Sequence, residues 1–386
     1  MTGEYPPQFG GVADYSALVA SGLAQRGYPV HVWAPTFVGE APEVPGVTVH
    51  RDAGRWSSSD LAKLSEALDA MPAPRRLLVQ YTPNAWGFKG ANLGFGRWLA
   101  RRRAAGDTVW TMVHEAVYPW QFWDKPTRWL LAALHRLMLR DLVRASHRIY
   151  LSTNSLKRHF TQAPARTSDW LPVPNWLPVP SNIPVVDDPA AVAAIRARMA
   201  PRGESIIGHF STYARIARRP IPLVARELLA GHPDRVLLLI GREGESMAEE
   251  LATIYPDLAG RVKATGALAH HDVSLHLQAC DVMLQHYDDG VSGRRGTMMA
   301  CLAHARPTAT NLGRFSDPVW AESGGVAVFP RYDPAGVVGL VDSLLADPTE
   351  RAALSSRAKT LYDGTFSVDR VVETLVRDAE QELASS

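Results

Sequence analysis

The sequence predicts an α/β protein built as two successive parallel-sheet domains. Short apolar runs alternate with longer amphipathic stretches along the whole chain, which is the pattern of strand–helix layering. The length of 386 residues accommodates two domains of roughly 100–200 residues each. A proline-rich segment over 171–189 (LPVPNWLPVPSNIPVVDDP) splits the alternation into two series. Proline neither donates to a sheet nor continues a helix, so this stretch reads as a stiff, extended connection.

The first series places strands over 30–34, 47–51, 77–81, 109–113 and 148–152. Between them, helices are expected over 12–25, 60–70, 93–103 and 127–145. Val12, Tyr15, Leu18, Val19 and Leu23 recur close to the i, i+3, i+4 spacing of one helix face, and Gly27 follows where a C-terminal glycine belongs. One element is missing: a doubly wound domain begins with a strand feeding its first glycine turn, yet no apolar run precedes Gly10-Gly11. Either the strand lies upstream of Met1 or another segment fills its place. The second series places strands over 205–210, 236–240, 262–265, 282–286, 307–310 and 326–329. Its helices are expected over 222–230, 246–254, 272–279, 295–305, 334–346 and 368–384. The domain reading is therefore 1–176, a linker over 177–189, a second domain over 190–366, and a closing helix over 367–386 packing back on the first domain.

Composition removes several function classes. Forty-one basic against 39 acidic side chains leave a net charge of +2, too small a field to recruit nucleic acid. Two cysteines, Cys280 and Cys301, make neither a disulfide scaffold nor a zinc site. Without a run of about 18 apolar residues there is no transmembrane helix. The polar, turn-rich start MTGEYPPQFGG is unlike a signal peptide, so a cytoplasmic protein is expected.

Four segments carry candidate chemistry. Gly10 and Gly11 lead into a helix whose first N–H groups suit a phosphate or a sugar hydroxyl, although a Gly-Gly pair is equally a tight turn. His114 and Glu115 end an apolar strand, the edge at which open α/β sheets bind ligands, and a strand-end histidine also sits there for structural reasons. The loop DDGVSGRRGT, from Asp288 to Thr297, runs from a strand to a helix N-terminus. Its Ser292, Gly293, Arg294 and Arg295 would offer backbone N–H groups and guanidinium forks to an anion. Walker and dinucleotide glycine patterns are absent. Finally, IIGHFSTYARIARRP brings His209, Arg215, Arg218 and Arg219 to the same sheet edge. Arginines crowded in this way repel unless an anion lies between them. The second domain is thus expected to bind a diphosphate.

With these segments in place, the chain resembles the family-4 retaining glycosyltransferases of the GT-B fold, from EYPPQFGG to the closing helix. The resemblance implies two Rossmann-like domains facing across a cleft, with a nucleotide diphosphate sugar as co-substrate, a hydroxyl acceptor and no cofactor. It implies that His114 and Asp289 act on the transferred sugar. Gly10, Gly11, His209, Arg215, Ser292, Gly293, Arg294 and Arg295 would hold the donor diphosphate, and Thr297 the ribose. Asp289 and Thr297 take the two positions of the family's Glu-x7-Glu motif, keeping its eight-residue step. They depart from it as Asp for Glu and Thr for Glu, and His209 stands where the family has arginine. No glycosidase-like carboxylate pair is evident, which fits a retaining, metal-independent transfer in which the leaving phosphate takes the acceptor proton.

Around His114, Glu115, Tyr118 and Trp120 are candidate acceptor contacts, with Phe122 and Trp123 close behind. Arg97, Arg101, Arg102 and Arg103, then Arg136, Arg140 and Arg144, make basic helix faces that are either solvated or in peripheral contact with anionic lipid. His270-His271-Asp272 reads as a turn and helix cap. Two classes remain open: an active sugar transferase, and a non-catalytic GT-B protein that binds a nucleotide or a partner. A GT-B epimerase fits the Gly-Gly and Asp289 loops less well.

Overall fold

The computed structural model describes residues 1–39, 42–118, 125–161 and 173–385. Trp120, Phe122 and Trp123 lie outside the described residues. The chain forms two compact units, Met1–Pro178 with Val371–Ser386, and Val179–Arg370.

Unit one runs α1 (Gly11–Gln25), β1 (Val30–Trp33), β2 (Val47–His50), α2 (Ser58–Asp69), β3 (Arg76–Tyr81), α3 (Leu93–Ala104), β4 (Thr108–Val113), α4 (Pro126–Ala145), β5 (Arg148–Leu151), α5 (Arg158–Thr161) and β6 (Asn175–Trp176). All its strand pairs are parallel, in a two-stranded piece β1-β2 and a four-stranded piece β3-β4-β5-β6. Met1 and Thr2 lie between the pieces. Thr2 N–H donates to the Trp33 carbonyl at 3.0 Å, and Gln80 N–H donates to the Met1 carbonyl at 2.9 Å. These two residues therefore occupy the slot that the sequence left unaccounted for ahead of Gly10-Gly11. Ser57 and Asp60 form a capping box at α2, and Asn92 caps α3.

Unit two runs α6 (Pro189–Met199), β7 (Ser205–Phe210), α7 (Arg215–Arg218), α8 (Ile221–Leu229), β8 (Arg235–Ile240), α9 (Gly244–Ile254), β9 (Val262–Ala264), α10 (His270–Ala279), β10 (Val282–Leu284), α11 (Gly296–Ala303), β11 (Thr308–Asn311), α12 (Val319–Glu322), β12 (Ala327–Phe329), α13 (Pro334–Ala346) and α14 (Pro348–Leu361). Its six-stranded parallel sheet has the order β12-β11-β10-β7-β8-β9. Every residue of β8 is buried, as a central strand covered on both faces requires. Apolar clusters fill both faces, one around Ile207, Leu237, Leu239 and Val341, the other around Ile206, Leu238, Ile240 and Met283.

Several expectations need correcting. The proline-rich stretch over 171–189, read as extended throughout, contains β6 ahead of residue 177, and its last residue, Pro189, already opens a helix capped by Asp188. Helix α14 was not anticipated, nor was the π-helical turn Tyr362–Phe366 behind it. The cap of α10 is Ala269, and His270 and Asp272 lie inside its first turn. The chain closes with α15 (Val368–Ser385). From Val371 onward it belongs to unit one, burying Val371, Val372 and Leu375.

Candidate functional site

In unit two the chain builds outward from β7 to β8 and β9, then returns past β7 to lay down β10. This reversal leaves a switch point between β7 and β10, the place where open α/β sheets bind ligands. Both candidate anion loops leave the sheet there. His209, near the end of β7, and His286, just beyond β10, stand with ring centroids 5.5 Å apart. Both are buried, and burial holds both rings neutral, His209 well below its ordinary pKa and His286 lowered to about 4. His209 is consequently no permanent cation.

Arg218 is an anchor: its Nε donates to the Tyr213 carbonyl at 2.9 Å, and it pairs with Glu250 at 3.4 Å. Arg215 and Arg219 join Arg218, Pro222, Glu243 and Glu250 around an open hollow of 390 Å³. The Asp288–Thr297 loop is stapled to β11. The Asn311 side chain accepts from Tyr287 N–H and donates to the Tyr287 carbonyl, each at 2.9 Å. Phe315 N–H donates to the Asp289 carbonyl at 3.0 Å. Gly290 sits at φ +86°, and a Cβ there would lie 2.2 Å from the Gly313 nitrogen, so only glycine fits.

Within this loop the two arginines turn back on the acid. Arg295 pairs with Asp289 and stacks over Tyr287 at 4.8 Å, while Arg294 lies 3.8 Å from the same carboxylate and over Phe315. Thr297 Oγ1 shares a 2.9 Å hydrogen bond with the Tyr287 hydroxyl. Ser292 is fully buried, and its Oγ has no hydrogen-bond partner among the described residues. The Gly293 carbonyl accepts from Val179 N–H.

In unit one, His114 follows β4 and is buried against Tyr15, edge to face at 4.9 Å. Its Nε2 lies 2.9 Å from Gln80 Oε1. A carbonyl oxygen only accepts, so the proton sits on Nε2 and Nδ1 keeps its lone pair. Burial lowers this ring's pKa to about 3. Glu115 next to it is exposed. The Tyr118 N–H donates to His135 Nδ1, and Arg128 lies over the Tyr118 ring.

The helix start at Gly10-Gly11 does not present the open amides that the sequence led us to expect. Glu4 Oε1 accepts from both Val12 N–H and Ala13 N–H at 3.1 Å, so an internal carboxylate holds the anion position at α1. Arg102 likewise leaves the expected basic face: it is buried, bonded to Asp69 and Asp107. Arg97, Arg101, Arg140 and Arg144 remain exposed. Glu4, Gln80, Tyr213 and His286 escaped the sequence reading. For His286 the signal was present, a histidine near the end of the run VMLQHY, but its neighbour His209 is distant in sequence.

Among the described residues no cluster of three His, Cys, Asp or Glu could hold a metal ion, and no helix is long and apolar enough to cross a membrane. Residues 10–176 match the model of the glycosyl transferase 4-like domain. No curated protein matches the sequence. Among solved structures, Anabaena HepE in complex with UDP is similar at TM-score 0.69 and 14% identity, over 98% of each chain. Sucrose-phosphate synthase from Thermosynechococcus elongatus is similar at TM-score 0.70 and 16% identity, over 98% of this chain and 94% of that one. The α,α-trehalose 6-phosphate synthase of Burkholderia multivorans reaches TM-score 0.64 at 14% identity, over 99% and 98%. At such identities the likeness shows the fold, which is GT-B.

Proposed function

We propose that the chain is a retaining glycosyltransferase that moves a sugar from a nucleoside diphosphate sugar to a hydroxyl acceptor. The observation that carries this reading is the switch point of unit two, where two arginine-bearing loops leave adjacent strands in a fold shared with a UDP-binding protein over nearly its whole length. In this reading Arg215, Arg294 and Arg295 stabilise charge gathering on the leaving diphosphate, so a bound metal is not needed. Within unit two, Ser292 and Gly293 contribute further contacts to the phosphates, and Thr297 accepts a bond from the ribose. Asp289 is the residue of unit two assigned to the sugar and His114 that of unit one, with Glu115 and Tyr118 as acceptor contacts; Trp120 is assigned to the acceptor on sequence grounds alone. The new bond forms from the acceptor oxygen to the anomeric carbon as the bond to the diphosphate oxygen breaks, and the acceptor proton passes to that leaving phosphate. Positioning and electrostatics are then the protein's whole contribution. The exposed arginines of α3 and α4, with Trp129, Leu130 and Leu137 exposed on α4, support peripheral contact with anionic lipid as part of the same proposal.

A second reading, a non-catalytic nucleotide-binding or partner protein, draws on one observation: Asp289 is already occupied by Arg294 and Arg295. Calorimetric titration with UDP, GDP and ADP, with and without magnesium, tests the donor site. Saturable binding of one nucleotide, weakened at least about tenfold in Arg294→Ala/Arg295→Ala, is the expected result, from losing charge-assisted bonds of ~1.5–3 kcal/mol each. Absence of binding to every nucleotide would remove the proposal. His114→Ala separates the two readings, since it should abolish sugar transfer and leave nucleotide affinity nearly unchanged. Turnover equal to the parent's would take His114 out of the active site.

A further inference from the structure

The histidines at the switch point of unit two have a proton arrangement that the donor-site reading does not use. Tyr213 donates its single hydroxyl proton to the His209 carbonyl at 2.6 Å, and its oxygen lies 3.1 Å from His209 Nδ1. That oxygen can only accept from Nδ1, so neutral His209 carries its proton there and leaves Nε2 bare. The partner ring is incomplete in a different way: His286 Nδ1 is buried without a hydrogen-bond partner among the described residues. Buried polar atoms are nearly always satisfied, so an orphan in the crevice where a ligand is expected points to an absent bonding partner.

The chemistry of that partner follows from the flanking loops. Arg215 opens α7, in the segment that follows β7, and Arg294 and Arg295 stand in the loop leaving β10, both turned on Asp289; guanidiniums in the segments that continue from the two histidine-bearing strands suit an anion. A bare Nε2 repels a phosphate oxygen, whereas the protonated ring donates to it. At 5.5 Å the two rings resist being charged together, so one added proton serves the pair. The other titratable groups against it are Tyr213, from the loop after β7, and Tyr332, from the segment after β12. Tyr332 is itself hydrogen-bonded to Asp288.

We propose that His209 and His286 belong to the anion site of unit two and take up one proton together when a phosphodiester anion binds between the arginine loops. The inference rests on the reading of unit two as the nucleotide-sugar site and adds to it a titrating element in place of a fixed cation. Burial keeps both rings neutral in the free protein, so the proton arrives with the ligand. By linkage, affinity then rises as pH falls, by up to about tenfold per pH unit where uptake is complete.

UDP-glucose is the probe, because its phosphates are diesters and do not titrate near neutrality. Its binding to the full chain is measured by calorimetry in two buffers of different ionisation heat, at about pH 6 and about pH 8. The expected result at the lower pH is an apparent enthalpy that differs between buffers by close to one proton, together with tighter binding than at the higher pH. His209→Asn/His286→Asn, checked for native circular dichroism, should bind with buffer-independent heat and pH-independent affinity. The alternative pair His209→Gln/His286→Gln provides the same readout should the first double variant not fold. UDP-glucose binding by the parent with buffer-independent heat at both pH values would overturn the proposal and leave the donor site standing, as would uptake persisting in a folded variant. If neither UDP-glucose nor the GDP- and ADP-sugars bind, the donor-site reading and the proposal fail together.

Discussion

His114 shows how one side chain links local geometry to a measurable property. Gln80 fixes its tautomer, Tyr15 packs on its edge, and burial lowers its pKa to about 3. In the unfolded chain the same ring titrates near ~6.5. Between those two values the unfolded state holds the extra proton, so stability is complete above the higher value and declines as pH falls below it. Each such ring accounts for a decline of up to about 1.4 kcal/mol per pH unit. His286, lowered to about 4, acts in the same direction in the other unit. We therefore expect urea midpoints to fall as pH is taken from about 7 to about 5. His114→Gln, which removes one titrating ring, should make that decline shallower in the signals of unit one. A variant whose midpoint falls as steeply as the parent's would show that His114 is not held neutral by the fold.

At the scale of elements, three helices open on the same dipeptide. Asp188-Pro189, Asp333-Pro334 and Asp347-Pro348 begin α6, α13 and α14, each aspartate accepting backbone N–H bonds one turn in. Proline tolerates the first helical position because its missing N–H would have no partner there. At α14, Asp347 Oδ1 accepts from Thr349 N–H and Glu350 N–H, both at 2.9 Å. Asp347→Ala should cost about 1 kcal/mol and Asp347→Asn much less, because asparagine keeps an acceptor. Equal losses in denaturant titrations of the two variants would indicate that the helix start does not depend on the cap. The central strands were legible because parallel strands buried on both faces leave unbroken apolar runs, whereas the two-residue β6 was not. Helices α6 and α14 were not, for opposite reasons. The DDP preceding α6 reads as the tail of a proline-rich connection, and α14 is too polar to show an apolar stripe. Of the site, the arginine loops could be read from glycine and charge, whereas the closure of Asp289 on Arg294 and Arg295 could not. Neither could the meeting of His209 with His286, which depends on β10 pairing beside β7 after β8 and β9 have been laid on the other side.

At the scale of the whole molecule, the chain leaves unit one after Pro178, builds all of unit two, and returns to unit one at Val371. The return is fastened by polar contacts as well as by apolar burial. Tyr150 donates to Asp378 at 2.8 Å, Arg148 pairs with the same carboxylate at 3.0 Å, and Trp110 Nε1 donates to Glu382 at 3.0 Å. Arg76 and Arg148 both lie over the Trp110 ring. Asp378 is 5% exposed, so Asp378→Ala strands a hydroxyl and a guanidinium in a partly dry setting and should cost about 3 kcal/mol. The loss has to appear in the unit that contains β3, β4 and β5, although the residue lies at the far end of the chain. Truncation after Arg370 should act in the same place and more strongly. It strips Val371, Val372 and Leu375 from the core and uncovers Trp110 and Tyr150. Hydrogen exchange read by peptide separates this from a general effect. Protection should fall across β3–β5 in both variants and stay at the parent level across β7, β8 and β10. Loss spread evenly over both units would mean that α15 stabilises the molecule as a whole, while loss confined to unit two would assign the helix to the wrong partner. The separation follows from the burial pattern: the contacts of α15 with Trp110, Arg148 and Tyr150 all lie in unit one, and the core of unit two closes on its own strands and on α8, α10 and α13.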